Sequence, residues 1–257
     1  MSLNHRSGIA FIHLGFKLTL PIRLAAYNMI NKQVSNIAEA LAGIADGATV
    51  LAGGFGDAGS PNDLLHGLIE CQLKGLTFIS NGTINEDLGQ GKLIEAGCVD
   101  KFIASFPRGP DSNLFDPGTA TADVELEIVP QGTLAERIRA GGAGIPGFYT
   151  GTALGTPLAE GKETREFDGK EYVFERAIKA DVALIMAKRA DRWGNLVYAK
   201  SCRNFNPIMA MAAELTIVQV GEIVELGELD PELIVTAGIF VDRVVKIETP
   251  TTLYGEP

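Results

Sequence analysis

The stretch Asp46-Gly47-Ala48-Thr49-Val50-Leu51-Ala52-Gly53-Gly54-Phe55-Gly56-Asp57-Ala58-Gly59-Ser60-Pro61 changes character twice. Ala48–Ala52 is an unbroken apolar run with β-branched residues, bounded by Asp46-Gly47 and Gly53-Gly54, and reads as a buried strand. Ser60 and Pro61 then open a helix predicted over 61–72, with Ser60 as N-cap and Pro61 in the first turn. Strand, glycine-rich turn and helix form the unit from which parallel α/β sheets are assembled. The glycines allow a sharp bend and a close approach of backbone N–H groups to a ligand. The helix start beyond them favours an anion such as a diphosphate or a carboxylate.

Gly54-Phe55-Gly56 with Gly59 also satisfies the GxGxxG pattern of dinucleotide folds. That pattern calls for an acidic residue at the end of the next strand. Here the next strand, Leu76–Ser80, runs into Ser80-Asn81-Gly82, and Glu86 and Asp87 come only later. A plain structural turn between strand and helix is the competing reading.

The alternation continues on both sides. Ser35–Ala45 carries Ile37, Leu41 and Ile44 at helical spacing behind Ser35 as N-cap, and Thr133–Ala140 predicts a helix closed by Gly141-Gly142. Strands are expected at Phe102–Ser105, Val124–Val129, Val182–Met186 and Thr216–Val220, and a loop over 81–91. Asp168-Gly169 between Glu163–Phe167 and Glu171–Glu175 predicts an antiparallel hairpin. The expected fold is α/β: a mostly parallel open sheet with flanking helices and a hairpin insertion, over residues 29–250.

The 257 residues, 46% hydrophobic and 21% charged, fit a globular chain of one large domain or two small ones. A net charge of −10 gives no electrostatic footprint for nucleic acid or an anionic bilayer. Cys71, Cys98 and Cys202 lie far apart without metal-ligand spacing, which points to a reducing, cytoplasmic setting. His5, His13 and His66 are the only histidines, so no histidine-based metal site is expected. Residues 1–28 hold Arg6, Lys17 and Arg23 but no acid, and Met29 opens a fluent sequence. They read as an extension outside the fold, and 251–257 reads as a tail.

The glycine-rich block resembles the first signature of the class I CoA-transferases. Further segments resemble that family in order: Val129-Pro130-Gln131-Gly132-Thr133-Leu134-Ala135-Glu136-Arg137, Gly141-Gly142-Ala143-Gly144, Glu160-Gly161-Lys162-Glu163, Asp191-Arg192-Trp193-Gly194-Asn195-Leu196 and Arg203-Asn204-Phe205-Asn206-Pro207. The resemblance is to the α chains of its 3-oxoacid members. It implies transfer of CoA from an acyl-CoA, succinyl-CoA first among donors, to a carboxylic acid through a glutamyl-CoA thioester. It implies no permanently bound cofactor and no metal, with coenzyme A as substrate. The family's glutamate stands in a Ser-Glu-Asn-Gly motif that does not occur here, and Glu86 and Glu214 match neither its context nor its place. A partner β subunit carrying the glutamate is therefore expected.

The resemblance assigns Gly54, Phe55, Gly56, Asp57, Ala58, Gly59 and Ser60 to CoA and Asn81 to an oxyanion hole, with Gly82 where the family has a second asparagine. It places Gly141–Gly144 and Phe148-Tyr149-Thr150 near the acyl pocket, although Thr152-Ala153-Leu154-Gly155 departs from the family pattern. Ser105-Phe106-Pro107-Arg108 looks most like the 3-oxoadipate branch, with Arg108 as a candidate for a distal carboxylate, whereas Arg139–Gly144 is similar to the acetoacetate branch. Arg137, Arg139 and Arg203 are further candidates for a substrate carboxylate, or for salt bridges. Two other classes remain on the residues alone: a nucleotide-linked oxidoreductase and a non-catalytic ligand sensor of related α/β fold.

Overall fold

A computed structural model describes residues 30–83, 87–109 and 112–252. The extension 1–28, Glu86, Asp111 and residues 253–257 lie outside the described residues.

Strands and helices alternate along most of the chain. The strands are β1 (Gln33–Val34), β2 (Thr49–Ala52), β3 (Leu76–Ile79), β4 (Val99–Ala104), β5 (Glu125–Ile128), β6 (Gly147–Thr150) and β7 (Thr164–Phe167). Then follow β8 (Lys170–Arg176), β9 (Ala180–Asp191), β10 (Leu196–Val197), β11 (Ala213–Val224) and β12 (Arg243–Lys246). The main sheet has the order β1-β12-β11-β9-β2-β3-β4-β5, parallel throughout, with β10 pairing antiparallel to β9. The chain builds outward from β2 to β5 on one side and from β9 to β12 on the other. The reversal lies between β2 and β9, and such a switch point opens a crevice at the carboxyl ends of the strands.

Helices cover both faces. On one, α1 (Ile37–Leu41), α2 (Asn62–Glu70) and α3 (Gly89–Glu95) bury Leu41, Leu64, Leu65, Leu68, Leu93 and Ile94 against Val50, Phe78 and Phe102. On the other, α4 (Gln131–Gly142) and α5 (Asn206–Ala210) bury Leu134, Ile138 and Met209 against Leu51, Ile79 and Ile185. A strand covered on both faces must be apolar on both, which is why Val50, Leu51 and Ala52 form an unbroken run.

Several local expectations are corrected. Asn36, not Ser35, caps α1, accepting from the Glu39 N–H at 2.8 Å, and the helix stops at Leu41. Ser60 does not cap α2; its hydroxyl donates to Asn62 Oδ1 at 2.6 Å, and Pro61 stands before the first helical residue. Gly141 and Gly142 lie inside α4, which Ala143 ends before the left-handed Gly144. Part of the expected loop 81–91 belongs to α3. The hairpin forms at Asp168-Gly169, both with positive φ, but β7 and β8 join β6 in a separate three-stranded sheet rather than entering the main one.

That small sheet is tied to α4 by charge. The buried Glu175 carboxylate meets Lys162 at 2.5 Å and Arg137 at 4.0 Å, and Arg137 also pairs with Glu127 at 2.9 Å. Burial pushes the Glu127 carboxyl up, but Arg137 and then Lys101 outweigh it and hold the pKa below the ordinary value. A lowered carboxylate pKa contributes stability above its unfolded value of about 4.3 and loses it as pH falls through the folded value. Glu127→Gln is therefore expected to melt lower than the parent at pH 7, and the gap should close by pH 3. Parallel thermal melts at the two pH values check this, and a gap that widens in acid would contradict it.

Candidate active site

The carboxyl ends of four adjacent strands converge on one cavity. β2 runs into Phe55 and Gly56, β3 into Asn81, Gly82 and Thr83, β4 into Phe106, and the link after β5 into Gln131 at the start of α4. These residues enclose about 370 Å³. The walls are mostly aromatic ring and backbone, so polar groups there act in a low dielectric. Phe55 and Phe106 are 53% and 56% exposed, an outward-facing apolar rim.

Asn81 is the focus of the cavity's hydrogen bonding. Its Oδ1 accepts from the Ser105 hydroxyl at 2.7 Å and from Gln131 Nε2 at 2.8 Å. Ser105 also reaches the Asn81 carbonyl, at 2.9 Å. With Oδ1 doubly engaged the amide is fixed in one orientation, and its NH₂ group is the end left for a ligand in the cavity. Gly82 leaves no room for a larger residue: a Cβ there would fall 1.9 Å from the Phe106 carbonyl oxygen. The asparagine the family carries at this position is thus excluded by packing against the chain that leaves β4.

The glycine turn is held from beneath by amides. Gly54 N–H donates to Asn204 Oδ1 at 3.1 Å, and Asn206 Nδ2 donates to the Gly59 carbonyl at 3.0 Å. Gln90 Nε2 reaches Ser60 Oγ at 3.0 Å, and Asn62 Nδ2 donates to Asp57 Oδ1 at 2.8 Å. Thr252 donates to Asp57 Oδ2 and Thr251 to Asp63, both at 2.7 Å, so the start of the C-terminal tail packs on the turn. Of the seven turn residues assigned to CoA, only Phe55 and Gly56 line the cavity. Ala58 is half-buried, and Gly54, Asp57, Gly59 and Ser60 are buried. Three backbone donors are already used: Gly54 to Asn204, Phe55 to Ala58 at 3.0 Å, and Ser60 to Asp57 at 3.1 Å.

Other candidates lie elsewhere. Gly141, Gly142 and Gly144 line a groove with Lys179, Met211 and Glu214 at the amino ends of β9 and β11, the opposite edge of the sheet from Asn81. Arg108 turns toward Asp116 and the Ser112 and Leu114 carbonyls. Arg137 and Arg139 are paired with Glu127 and Glu136, while Arg203 is an exposed residue of the segment before Asn204. His66 accepts from the Gly89 N–H at 3.3 Å, and burial with nearby Lys92 lowers its pKa, as for a packed polar side chain. Cys98 is buried and its thiol is pushed up by that burial. Among the described residues no group of His, Cys, Asp or Glu could hold a metal ion, and no helix is long and apolar enough to cross a membrane. Ser105, Phe106, Thr83 and Gln131 were not singled out as site residues by sequence reasoning. The only signal was that Ser105, Phe106 and Gln131 stand in segments that carry the family resemblance.

A parallel sheet whose switch-point cavity holds a fixed amide donor fits group transfer on a bound acyl compound, and the relatives of this chain agree. The coenzyme A transferase family profile matches residues 34–247, and the chain belongs to that family. The chain is 58% identical over 221 residues to the first of the two subunits of the 3-oxoadipate CoA-transferase of Acinetobacter baylyi, covering 86% of this chain and 97% of that protein. It is 50% identical over 220 residues to the corresponding subunit of the succinyl-CoA:3-ketoacid coenzyme A transferase of Xanthomonas campestris, covering 85% and 90%. The fold matches an acyl-CoA transferase from E. coli O157:H7, solved as a thioester complex with CoA, at a TM-score of 0.75 and 23% identity. That match covers 90% of this chain and 50% of the other, so the chain spans about half of that structure's length. Within the family the chain is a CoA-transferase α subunit of the 3-oxoadipate/3-ketoacid type.

Proposed function

We propose that the chain is the α half of an enzyme that moves CoA from succinyl-CoA to a 3-oxoacid, 3-oxoadipate ahead of acetoacetate, through a glutamyl-CoA thioester on a partner β subunit. The observation that carries this reading is the Asn81 amide, locked by Ser105 and Gln131 so that its donor end serves the cavity between Phe55 and Phe106. A carboxylate attacking a thioester puts negative charge on the acyl oxygen, and a fixed donor in an apolar site stabilises that charge without reorganising. The described residues lining the cavity include no carboxylate, so the nucleophile must come from outside them. The exposed Phe55 and Phe106 rim suits coverage by a subunit that brings it. The preference for 3-oxoadipate rests on the likeness to the Acinetobacter baylyi protein and on Ser105-Phe106-Pro107 at the cavity.

The test is co-expression with a β subunit of the same family, followed by incubation with succinyl-CoA and intact-mass analysis of both chains. The pair should form 3-oxoacyl-CoA while the single chain does not, and a CoA adduct should appear on the partner alone. An adduct on this chain, or turnover by this chain without a partner, would overturn the assignment. Higher kcat/KM with acetoacetate than with 3-oxoadipate would reverse the substrate order.

A further inference from the structure

The glycine turn places three left-handed residues, Gly54, Gly56 and Gly59, within a short loop, and its only internal backbone ties are Phe55 N–H to Ala58 O and Ser60 N–H to Asp57 O. Glycines lose the most conformational freedom on folding, so such a loop needs external ties to hold one shape. Two come from the segment between β10 and α5. Asn206 is wholly buried and works on the deep side: Oδ1 accepts from Met186 N–H at 3.0 Å, and Nδ2 donates to the Gly59 and Cys202 carbonyls. A Cβ at Gly53 would stand 1.9 Å from that Oδ1. Asn206 therefore belongs to the core of the fold.

Asn204 is different. It is only half-buried, and its side chain spans the turn from one end to the other. Oδ1 accepts from Gly54 N–H at 3.1 Å, and Nδ2 donates to the Ala58 carbonyl at 2.8 Å and to Ser201 O at 2.8 Å. Between the two tied points lie Phe55 and Gly56, the two turn residues that line the cavity. We infer that Asn204 is a positioning residue: one amide, accepting at Gly54 and donating at Ala58, sets where Phe55 and Gly56 meet the acyl-CoA. The inference rests on the proposed reading of the cavity as the acyl-CoA site. It requires an amide, because the two ends of the turn present a donor and an acceptor that only a group with both functions can join. Asn204→Asp keeps the acceptor for Gly54 but turns an oxygen toward two carbonyl oxygens. It should therefore be at least as damaging as Asn204→Ala.

The experiment uses both variants in the assembled α–β enzyme and reads three quantities. Amide hydrogen exchange in a peptide covering 53–60 should quicken at least about tenfold, with exchange in 131–142 unchanged, since a lost tether raises local opening without global unfolding. KM for succinyl-CoA should rise about tenfold while kcat changes less than about threefold, the split expected when substrate contacts loosen and Asn81 is untouched. The melting temperature should stay within about 2 °C, under about 1 kcal/mol for a domain of this size. Unchanged exchange at 53–60 would overturn the tether itself. Faster exchange with unchanged KM would keep the tether but remove the turn from the substrate, which overturns the acyl-CoA reading of the cavity and the positioning role with it. A large fall in melting temperature or loss of assembly in both variants would make Asn204 structural and overturn the inference.

Discussion

Asn81→Ala in the assembled enzyme should lower kcat by about 100- to 1000-fold, with KM for acyl-CoA changing less than about threefold, because an oxyanion donor acts on charge that exists only in the transition state. The alanine also strands two donors, the Ser105 hydroxyl and Gln131 Nε2, which now meet at Asn81 Oδ1. Some loss of stability would follow and could be mistaken for the cause. Asn81→Asp separates the two effects. Aspartate keeps an oxygen for Ser105 and Gln131 but has no NH₂ group, and an anion beside a developing oxyanion raises the barrier further. The aspartate variant should therefore melt close to the parent yet turn over no faster than the alanine variant. Retention of more than about a tenth of parental kcat by either variant would place the oxyanion elsewhere, since a working donor is worth at least about 2.7 kcal/mol.

Gly56→Val should cut kcat/KM by about ten- to a hundredfold, or about 1.4–2.7 kcal/mol, without unfolding the chain. Gly56 has φ +63° and lines the cavity. A β-branched residue strains at that φ and fills space meant for the ligand. Gly56→Ala should fall between. The neighbouring glycines behave differently because the space behind them is occupied by protein. A Cβ on Gly59 would stand 2.4 Å from the Cys202 carbonyl, and one on Gly53 would collide with Asn206. Gly59→Val and Gly53→Val should therefore fail to fold, as judged by circular dichroism and recovery in the soluble fraction. A folded, assembled and fully active Gly56→Val would remove the turn from the chemistry; an unfolded one would make Gly56 structural like its neighbours.

What could be read from the linear order was whatever is local in the chain. The unbroken run Ala48–Ala52 betrayed a strand covered on both faces, the glycines after it betrayed a turn, and Asp168-Gly169 betrayed a hairpin. Each depends only on side chains within a few residues of one another. α3 escaped because Gly89-Gln90-Gly91 reads as loop; its helix is imposed by packing Leu93 and Ile94 into the core rather than by propensity. The alternation of strands and helices likewise implied a parallel sheet, and the asparagine after the second strand of the glycine block was identified by family resemblance.

The site's working geometry was decided only in three dimensions. Ser105 lies 24 residues from Asn81, Gln131 lies 50 away, and Asn204 lies 150 from Gly54. They meet because parallel pairing from β2 through β5 sets four carboxyl ends side by side, and because the order reverses at β9, bringing the later segment under the turn. The same topology sends Gly141–Gly144 to the far edge, although those residues read from resemblance as pocket. Local sequence carries the period, breaks and caps of each element. Which ends of those elements become neighbours depends on hydrogen-bond register and core packing between residues remote in the chain, and that is where the chemistry of this protein is assembled.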